Sequence, residues 1–292
     1  MTGISLSAAL LLLVGELVLV AAVSRGPAGA RAGLAISVIL LPLATIVEAI
    51  PLYVALLAMA LLMISLRALD LARSDQPTSF MQRLAHLAVL VDTRKVTRRA
   101  RSLDVRAAGG AALAGALTLA ALVALAEVRA SAGPRPLEWA VVGLGVFAWF
   151  EFASHLSRFI GGCLGAALPP ISDAPQRSTS LAEFWGRRWN PVIAGVLKER
   201  CFTPMARRGA ARGLLATFAL SGVLHFYIGA MALDWPMALS LGGFFLAQPP
   251  LLLAERGLGV RRWPPVAGWL WTLAALAVLS PLILEPLRRL MP

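Results

Sequence analysis

The chain has 292 residues, of which 59% are hydrophobic and only 14% charged, with a mean hydropathy of +0.77. Soluble domains run at about 45–50% apolar and about 25% charged residues, so a water-soluble globule is excluded. The net charge of +12 therefore points to no nucleic acid; it asks on which side of a bilayer the 27 Lys and Arg residues stand.

A hydrocarbon core about 30 Å thick takes roughly 20 apolar residues per helix. Ile4–Val23 is the first such run and holds one acid, Glu16. It is too long for the apolar region of a typical signal peptide and lacks a positive lead-in, so no cleavable signal is expected. Gly33–Leu66 is too long for one span and slightly short for two. Pro42, Glu48 and Pro51 interrupt it, which predicts two short or tilted helices with a break near Glu48–Pro51. Further runs follow at Ala107–Val128, Leu137–Phe159, Arg212–Leu233, Pro236–Ala254 and Pro264–Leu284. The expected fold is all-α: a polytopic membrane helix bundle of about eight transmembrane helices, one membrane-embedded domain over residues 1–292, with amphipathic helices on the cytoplasmic side.

Eight spans put 23 of the basic residues on one side and four, Arg129, Arg135, Arg288 and Arg289, on the other. The positive-inside bias makes the first side cytoplasmic and both termini non-cytoplasmic. Two cytoplasmic segments, 67–106 and 160–211, are long enough to act. Within the first, Gln76–Arg106 sets Arg94, Lys95, Arg98, Arg99 and Arg101 beside Phe80, Met81, Leu84, Leu87 and Leu90. That pattern reads as a basic amphipathic helix on anionic headgroups, with ligand phosphates as the alternative, and it makes His86 interfacial. No internal repeat supports an inverted-repeat transporter. Cys163 and Cys201 are too few for a disulfide framework and lack metal-ligand spacing, so no metal is expected. Usage rich in Ala, Arg and Gly points to a GC-rich bacterium, hence its inner membrane.

The second segment carries Ser178-Thr-Ser-Leu-Ala-Glu-Phe-Trp-Gly-Arg-Arg-Trp-Asn190-Pro191. Ser180 and Glu183 form a capping-box pattern that starts a helix at Leu181. Phe184, Trp185, Arg187, Arg188 and Trp189 suit a membrane interface, so an anchor helix is one reading. Pro191 pushes Asn190 out of the helical region, presenting its side chain at a bend. The next apolar helix contains Ser221-Gly-Val-Leu-His225-Phe-Tyr227. An ionisable group at that depth is expensive and marks function unless a neighbouring helix holds it for structure. Ser221 and His225, with no orienting acid, make a poor nucleophile system. Glu151 and His155, four apart on one span, are expected to pair with a neighbouring helix, with a supporting role beside the catalytic cavity as the alternative, and Tyr227 and Gln248 are reachable polar groups for an acceptor site.

Phe184–Asn190, followed by Ser221-Gly-Val-Leu-His225 and by Gly242–Gln248 running to Glu255, resembles the wax synthase-like branch of the membrane-bound O-acyltransferases, over roughly residues 170–256. The resemblance implies acyl transfer from acyl-CoA to the hydroxyl of a lipophilic alcohol, most simply a fatty alcohol, or otherwise a sterol, diacylglycerol or another hydroxylated lipid. It implies His225 as the catalytic residue and Asn190 as the second motif residue. Trp185, Arg187, Arg188 and Trp189 match the part associated with donor entry. Acyl-CoA is a co-substrate, and no permanently bound cofactor is implied. The chemistry stands beside the name: imidazole titrates near neutral pH and suits removal of the alcohol proton. An amide such as that of Asn190 suits the oxyanion. The rival readings are a proton-coupled transporter built on Glu16, Glu48, Glu151 and His155, and a passive membrane scaffold.

Overall fold

A computed structural model of the chain describes residues 4–73, 79–88 and 96–291. Among them eight helices are long and apolar enough to cross a membrane, as expected, and the protein is an all-α integral membrane protein. The break in the long second run is also found. Helix α1 (Leu6–Val23) precedes α2 (Gly26–Leu40), which tightens into a 3-10 turn over Leu41–Ile46. Pro42 lies in that turn. The chain is then extended at Val47–Glu48, pairing in parallel with Ile4–Ser5, before α3 (Pro51–Arg73) opens on its own proline. Large apolar side chains stand bare on these surfaces, Leu11 at 74% exposure and Val278 at 76%. Water would not tolerate such helices; lipid chains cover them.

The chain divides into two compact units, the first made of residues 1–95, 224–239 and 289–292 and the second of 96–223 and 240–288. In the first, α3 is the central helix. Leu57, Ala58 and Leu61 on it bury against Ala9 of α1 and Ala44 of the 3-10 turn, with Tyr227 packed on the edge. Small residues let the backbones approach closely, as helix packing in lipid requires. Glu16 is buried beside Ser37, whose hydroxyl donates to the Gly33 carbonyl at 3.1 Å.

The basic segment after α3 departs from expectation. Among the described residues of that segment the helix is α4, Phe80–Ala88. Its His86 is fully buried rather than interfacial, with Nε2 3.1 Å from Asp70 Oδ2, and Arg83 Nε donates to the Ala21 carbonyl at 2.7 Å. The polar face is turned inward because these groups find partners there. Leu90, Arg94 and Lys95 lie outside the described residues. Arg98, Arg99 and Arg101 are not helical. Thr97–Arg98 pairs antiparallel with Ala166–Ala167, and the amides of Arg99 and Ser102 donate to the carbonyls of Gly165 and Gly162.

In the second unit α5 (Val105–Ala130) and α6 (Arg135–Leu164) form an antiparallel hairpin. At its far end Arg129 and Arg288 both donate to Glu138 Oε2 at 3.2 Å, and Arg288 also binds Glu285. In the first unit Arg289 pairs with Asp234 at 3.2 Å. Three of the four basic residues on the minority side of the charge count are thus neutralised by acids. After short helices α7 (Leu181–Glu183), α8 (Pro191–Leu197) and α9 (Thr203–Ala206) come α10 (Ala210–Ala232), α11 (Trp235–Leu246), α12 (Gln248–Leu258) and α13 (Pro265–Leu290). The seventh span is therefore two helices, interrupted at Ala247.

Helix α13 contains Pro281 and Pro286, and each proline frees the carbonyl four residues before it. Ser280 Oγ donates to the Ala277 carbonyl at 2.8 Å, and Ser240 Oγ donates to the Leu282 carbonyl at 3.0 Å. Ser240→Ala is expected to cost about 1 kcal/mol, the typical worth of such a bond. In a Pro286→Ala background the new N–H takes the Leu282 carbonyl, and the same substitution should cost almost nothing. A double-mutant cycle on thermal unfolding in detergent checks this; equal losses in both backgrounds refute it.

Candidate functional site

The segment Ser178–Pro191 begins as the capping pattern predicts. Ser180 is the N-cap of α7, and its Oγ accepts from the Glu183 amide at 3.0 Å. The two amides before that one are taken from far away in sequence. Glu255, buried at the end of α12, accepts from Leu181 N at 2.5 Å and Ala182 N at 3.1 Å, and Trp271 Nε1 donates to it at 3.1 Å. The Phe184 amide closes on the Ser180 carbonyl. All four of the first amides of this helix are therefore paired, with a carboxylate at its positive end.

The helix then widens to a π-turn over Phe184–Arg188, closed by Trp189 N donating to the Phe184 carbonyl. Such turns occur disproportionately at functional sites. The extra residue brings Phe184 and Trp189 into a stack, centroids 5.5 Å apart, and Trp189 also meets Phe150 at 4.8 Å. Trp185 points the other way, into Phe218, Phe244 and Phe245 at 6.0, 6.0 and 5.8 Å. Its Nε1 donates to Gln248 Oε1 at 3.0 Å, and Gln248 Nε2 donates to the Phe244 carbonyl. Gln248 is 0% exposed, which corrects its reading as a reachable group. A buried amide spends both ends fixing Trp185.

The two arginines of the motif differ. Arg188 Nε donates to Glu183 Oε1 at 2.7 Å and its NH1 to the Asp173 carbonyl at 3.1 Å, while Asp173 N donates back to the Arg188 carbonyl. It braces the segment. Arg187 is 62% exposed and meets Glu183 Oε1 at 2.6 Å, so most of its fork of donors faces outward. Asn190 sits at a bend, as Pro191 predicts. It N-caps α8, its Oδ1 accepting from Ile193 N at 3.2 Å, and its amide NH2 has no hydrogen-bond partner among the described residues.

A cleft of about 200 Å³ runs beside this segment, lined by Phe184, Trp189, Phe147, Trp269, Leu273 and Leu276. The hydroxyls at its wall, Ser178 and Thr272, donate to the Pro175 and Gly268 carbonyls, so the surface offered is apolar and suited to a hydrocarbon chain. Ser221 is buried on the first part of α10, where a Cβ on Gly222 would lie 3.0 Å from the Gly242 carbonyl oxygen; glycine there lets α10 and α11 touch. His225 and Tyr227 follow on α10 but belong to the first unit. There Tyr227 Oη donates to the Leu41 carbonyl at 2.7 Å, and His225 is half-buried. The structure thus brings together Phe184, Trp185, Arg188, Trp189 and Gln248. Glu255 is legible only as the end of the resembling stretch, and the bracing by Asp173 and Phe150 has no signal in the motif itself, because it depends on how α6 and the loop after it fold back.

Residues 168–246 match the profile of the membrane bound O-acyl transferase family. A probable long-chain-alcohol O-fatty-acyltransferase 7 of Arabidopsis thaliana is 38% identical over 131 residues, 38% of this chain and 37% of that protein. A second, numbered 2, is 32% identical over 115 residues, 35% and 32% of the two chains. Acyl-CoA--sterol O-acyltransferase 1 of the same plant is 37% identical over 82 residues, 24% of each. The matched stretches span well under half of these relatives. The resemblance to the wax synthase-like branch expected from Phe184–Asn190 and Ser221–His225 is borne out.

Glu183 has a testable electrostatic signature. Burial alone would raise its carboxyl, but the Thr179 amide and the Arg188 guanidinium outweigh it and hold the pKa at about 2, against an ordinary 4.5. A depressed folded-state pKa gives stability that is complete above about 4.5 and lost as pH falls toward about 2. The melting-temperature gap between wild type and Glu183→Gln should therefore be full at neutral pH, shrink below about 4.5 and close near 2. A gap that does not change across this window contradicts the bracing role.

Proposed function

We propose that the protein is an acyl-CoA-dependent O-acyltransferase that esterifies a lipophilic alcohol, most simply a long-chain fatty alcohol to a wax ester. Sterols, diacylglycerol or another hydroxylated lipid are the alternative acceptors. The observation that carries the reading is the division of labour among the motif residues and the side chain that holds them. Trp185, Arg188 and Gln248 are spent on rigidity, while the Arg187 fork and the Asn190 amide are left for a ligand. A positioned but unspent donor is what transition-state stabilisation needs.

In this reading His225 accepts the alcohol proton as oxygen attacks the thioester carbonyl. The carbonyl electrons move onto oxygen, and the Asn190 amide donates to that oxyanion. The electrons return, the C–S bond breaks, and the thiolate leaves and takes the proton back from His225. A thiolate leaves readily, so no covalent enzyme intermediate is required. Arg187 pairs with donor phosphates, for which a guanidinium fork is well matched. Phe184, Trp189 and the apolar cleft beside them take hydrocarbon. Ser221 and Tyr227 flank His225 in sequence and are assigned to its surroundings. Acyl-CoA is a co-substrate, with no resident cofactor. The charge bias supports both termini on the non-cytoplasmic side, and the composition favours a bacterial inner membrane.

Purified protein supplied with labelled long-chain acyl-CoA and a panel of alcohols tests this. His225→Ala should lower kcat about 10²–10⁴-fold and Asn190→Ala about 10²–10³-fold. Arg187→Ala should raise KM for acyl-CoA with kcat nearly unchanged. No ester from wild type rejects the activity. Equal turnover by His225→Ala rejects its assigned base.

A further inference from the structure

Helix α6 carries Glu151, Ser154, His155 and Arg158 at steps of three and four residues, so one face presents all of them. The chain after Gly165 folds back along this face. Ser154 Oγ accepts from the amides of Ile171 and Ser172, both at 3.2 Å, and donates to the Ser172 carbonyl at 3.1 Å. Glu151 lies 13 residues before the last residue of α6, so the loop reaches roughly 20 Å down the helix at 1.5 Å per residue. Irregular backbone at such depth persists in membrane proteins where it lines a polar cavity. Helix and loop here border an open-mouthed pocket of about 310 Å³, near the lower end of the roughly 300–1,000 Å³ of small-ligand sites. None of the residues given a role in acyl transfer lines it.

The polar atoms on its wall define what fits. Glu151 Oε1 accepts from Ser172 Oγ at 2.5 Å. Glu151 Oε2 stands 4.0 Å from His155 Nε2. His155 Nδ1 is buried with no hydrogen-bond partner among the described residues, packed on Gly110 so tightly that a Cβ there would lie 2.6 Å from it. A buried orphan N–H costs more than a buried lone pair, so the neutral ring carries its proton on Nε2. A donor and an acceptor thus face each other across 4.0 Å, too far to bond. One oxygen about 2.8–3.0 Å from each closes both bonds.

A hydroxyl meets that demand, accepting from Nε2–H and donating to Oε2. An ammonium cannot accept, and a phosphate would bring its negative charge against Glu151 and Asp173. The cavity's own cation, Arg158, is held by Asp104 at 3.5 Å. We propose that this cavity is a second ligand site, taking a neutral hydroxyl-bearing molecule whose hydroxyl seats between Glu151 Oε2 and His155 Nε2. The same group is offered by a free polyol and by the glycerol headgroup of a lipid. The proposal stands independently of the acyl-transfer reading.

The test uses the full-length protein in detergent and the rate at which diethyl pyrocarbonate modifies His155, read by peptide mass spectrometry with added N-acetylhistidine to monitor the reagent. Glycerol and 1-monooleoylglycerol are the probes; tetramethylammonium and inorganic phosphate are the ionic controls. Either hydroxyl probe should slow modification about fivefold at four times its Kd, and the ionic controls should not. Protection by both marks a polyol site, protection by the monoglyceride alone a lipid headgroup site, and either supports the proposal. Glu151→Gln keeps the shape and the Ser172 bond but turns the acceptor into a donor, so protection should fall while melting temperature holds. Glu151→Ala should lose protection altogether. Failure of both hydroxyl probes, slowing by tetramethylammonium or phosphate, or undiminished protection in a folded Glu151→Gln protein overturns the proposal.

Discussion

Backbone that leaves the helical ladder within an apolar medium has no water to bond, and unmet groups cost several kcal/mol. The side chains of this protein are allotted to that constraint. Tyr227 takes the Leu41 carbonyl where α2 tightens into a 3-10 turn. Ser240 and Ser280 take the carbonyls freed by two prolines of α13. Ser154 holds the loop that folds back on α6, and Glu255 takes the amides that open α7. These polar residues of the spans and their edges serve the backbone rather than a substrate.

The motif segment follows the same logic in reverse. Its inner side is saturated: Trp185 is bonded through Gln248 and packed among three phenylalanines, and Arg188 is clamped by Glu183 and Asp173. Its outer side keeps unsatisfied capacity, in the Arg187 fork and the Asn190 amide. Rigid support beneath unspent donors is the arrangement that preorganised sites require. The π-turn is the device that achieves it. By adding a residue to the turn, it splits neighbours in sequence between an anchored face and an offered one.

Hydropathy made the spans legible, since a run of about 20 apolar residues fits the bilayer core and little else. Pro42 and Pro51 announced the interruption of the second run, and Ser180 with Glu183 announced a helix start. All three are local signals. What escaped the sequence was long-range. The burial of His86 depends on Asp70, and the inward turn of Arg83 depends on a carbonyl of α1. Arg98, Arg99 and Arg101 have a helix-compatible pattern, yet pairing of this stretch with Gly162–Ala167 keeps it out of a helix. Gln248 looked reachable because nothing nearby reveals that Trp185 will consume it. The motif itself was recognisable; the reason each of its residues has its chemistry was not, because the partners come from 63 and 74 residues away.

That separation has a consequence for biosynthesis. Proteins are made from the N-terminus onward, and Leu181 emerges 74 residues before the carboxylate that receives its amide. Until α12 has been synthesised and seated, the opening turn of α7 holds two donors with no acceptor, and Trp185 lacks its partner Gln248. The motif can settle only after α10 and α11 have crossed. A chain released before Glu255 therefore carries every residue of the motif without its working shape, and assembly of the segment becomes a report on whether the membrane helices that follow it have been correctly threaded.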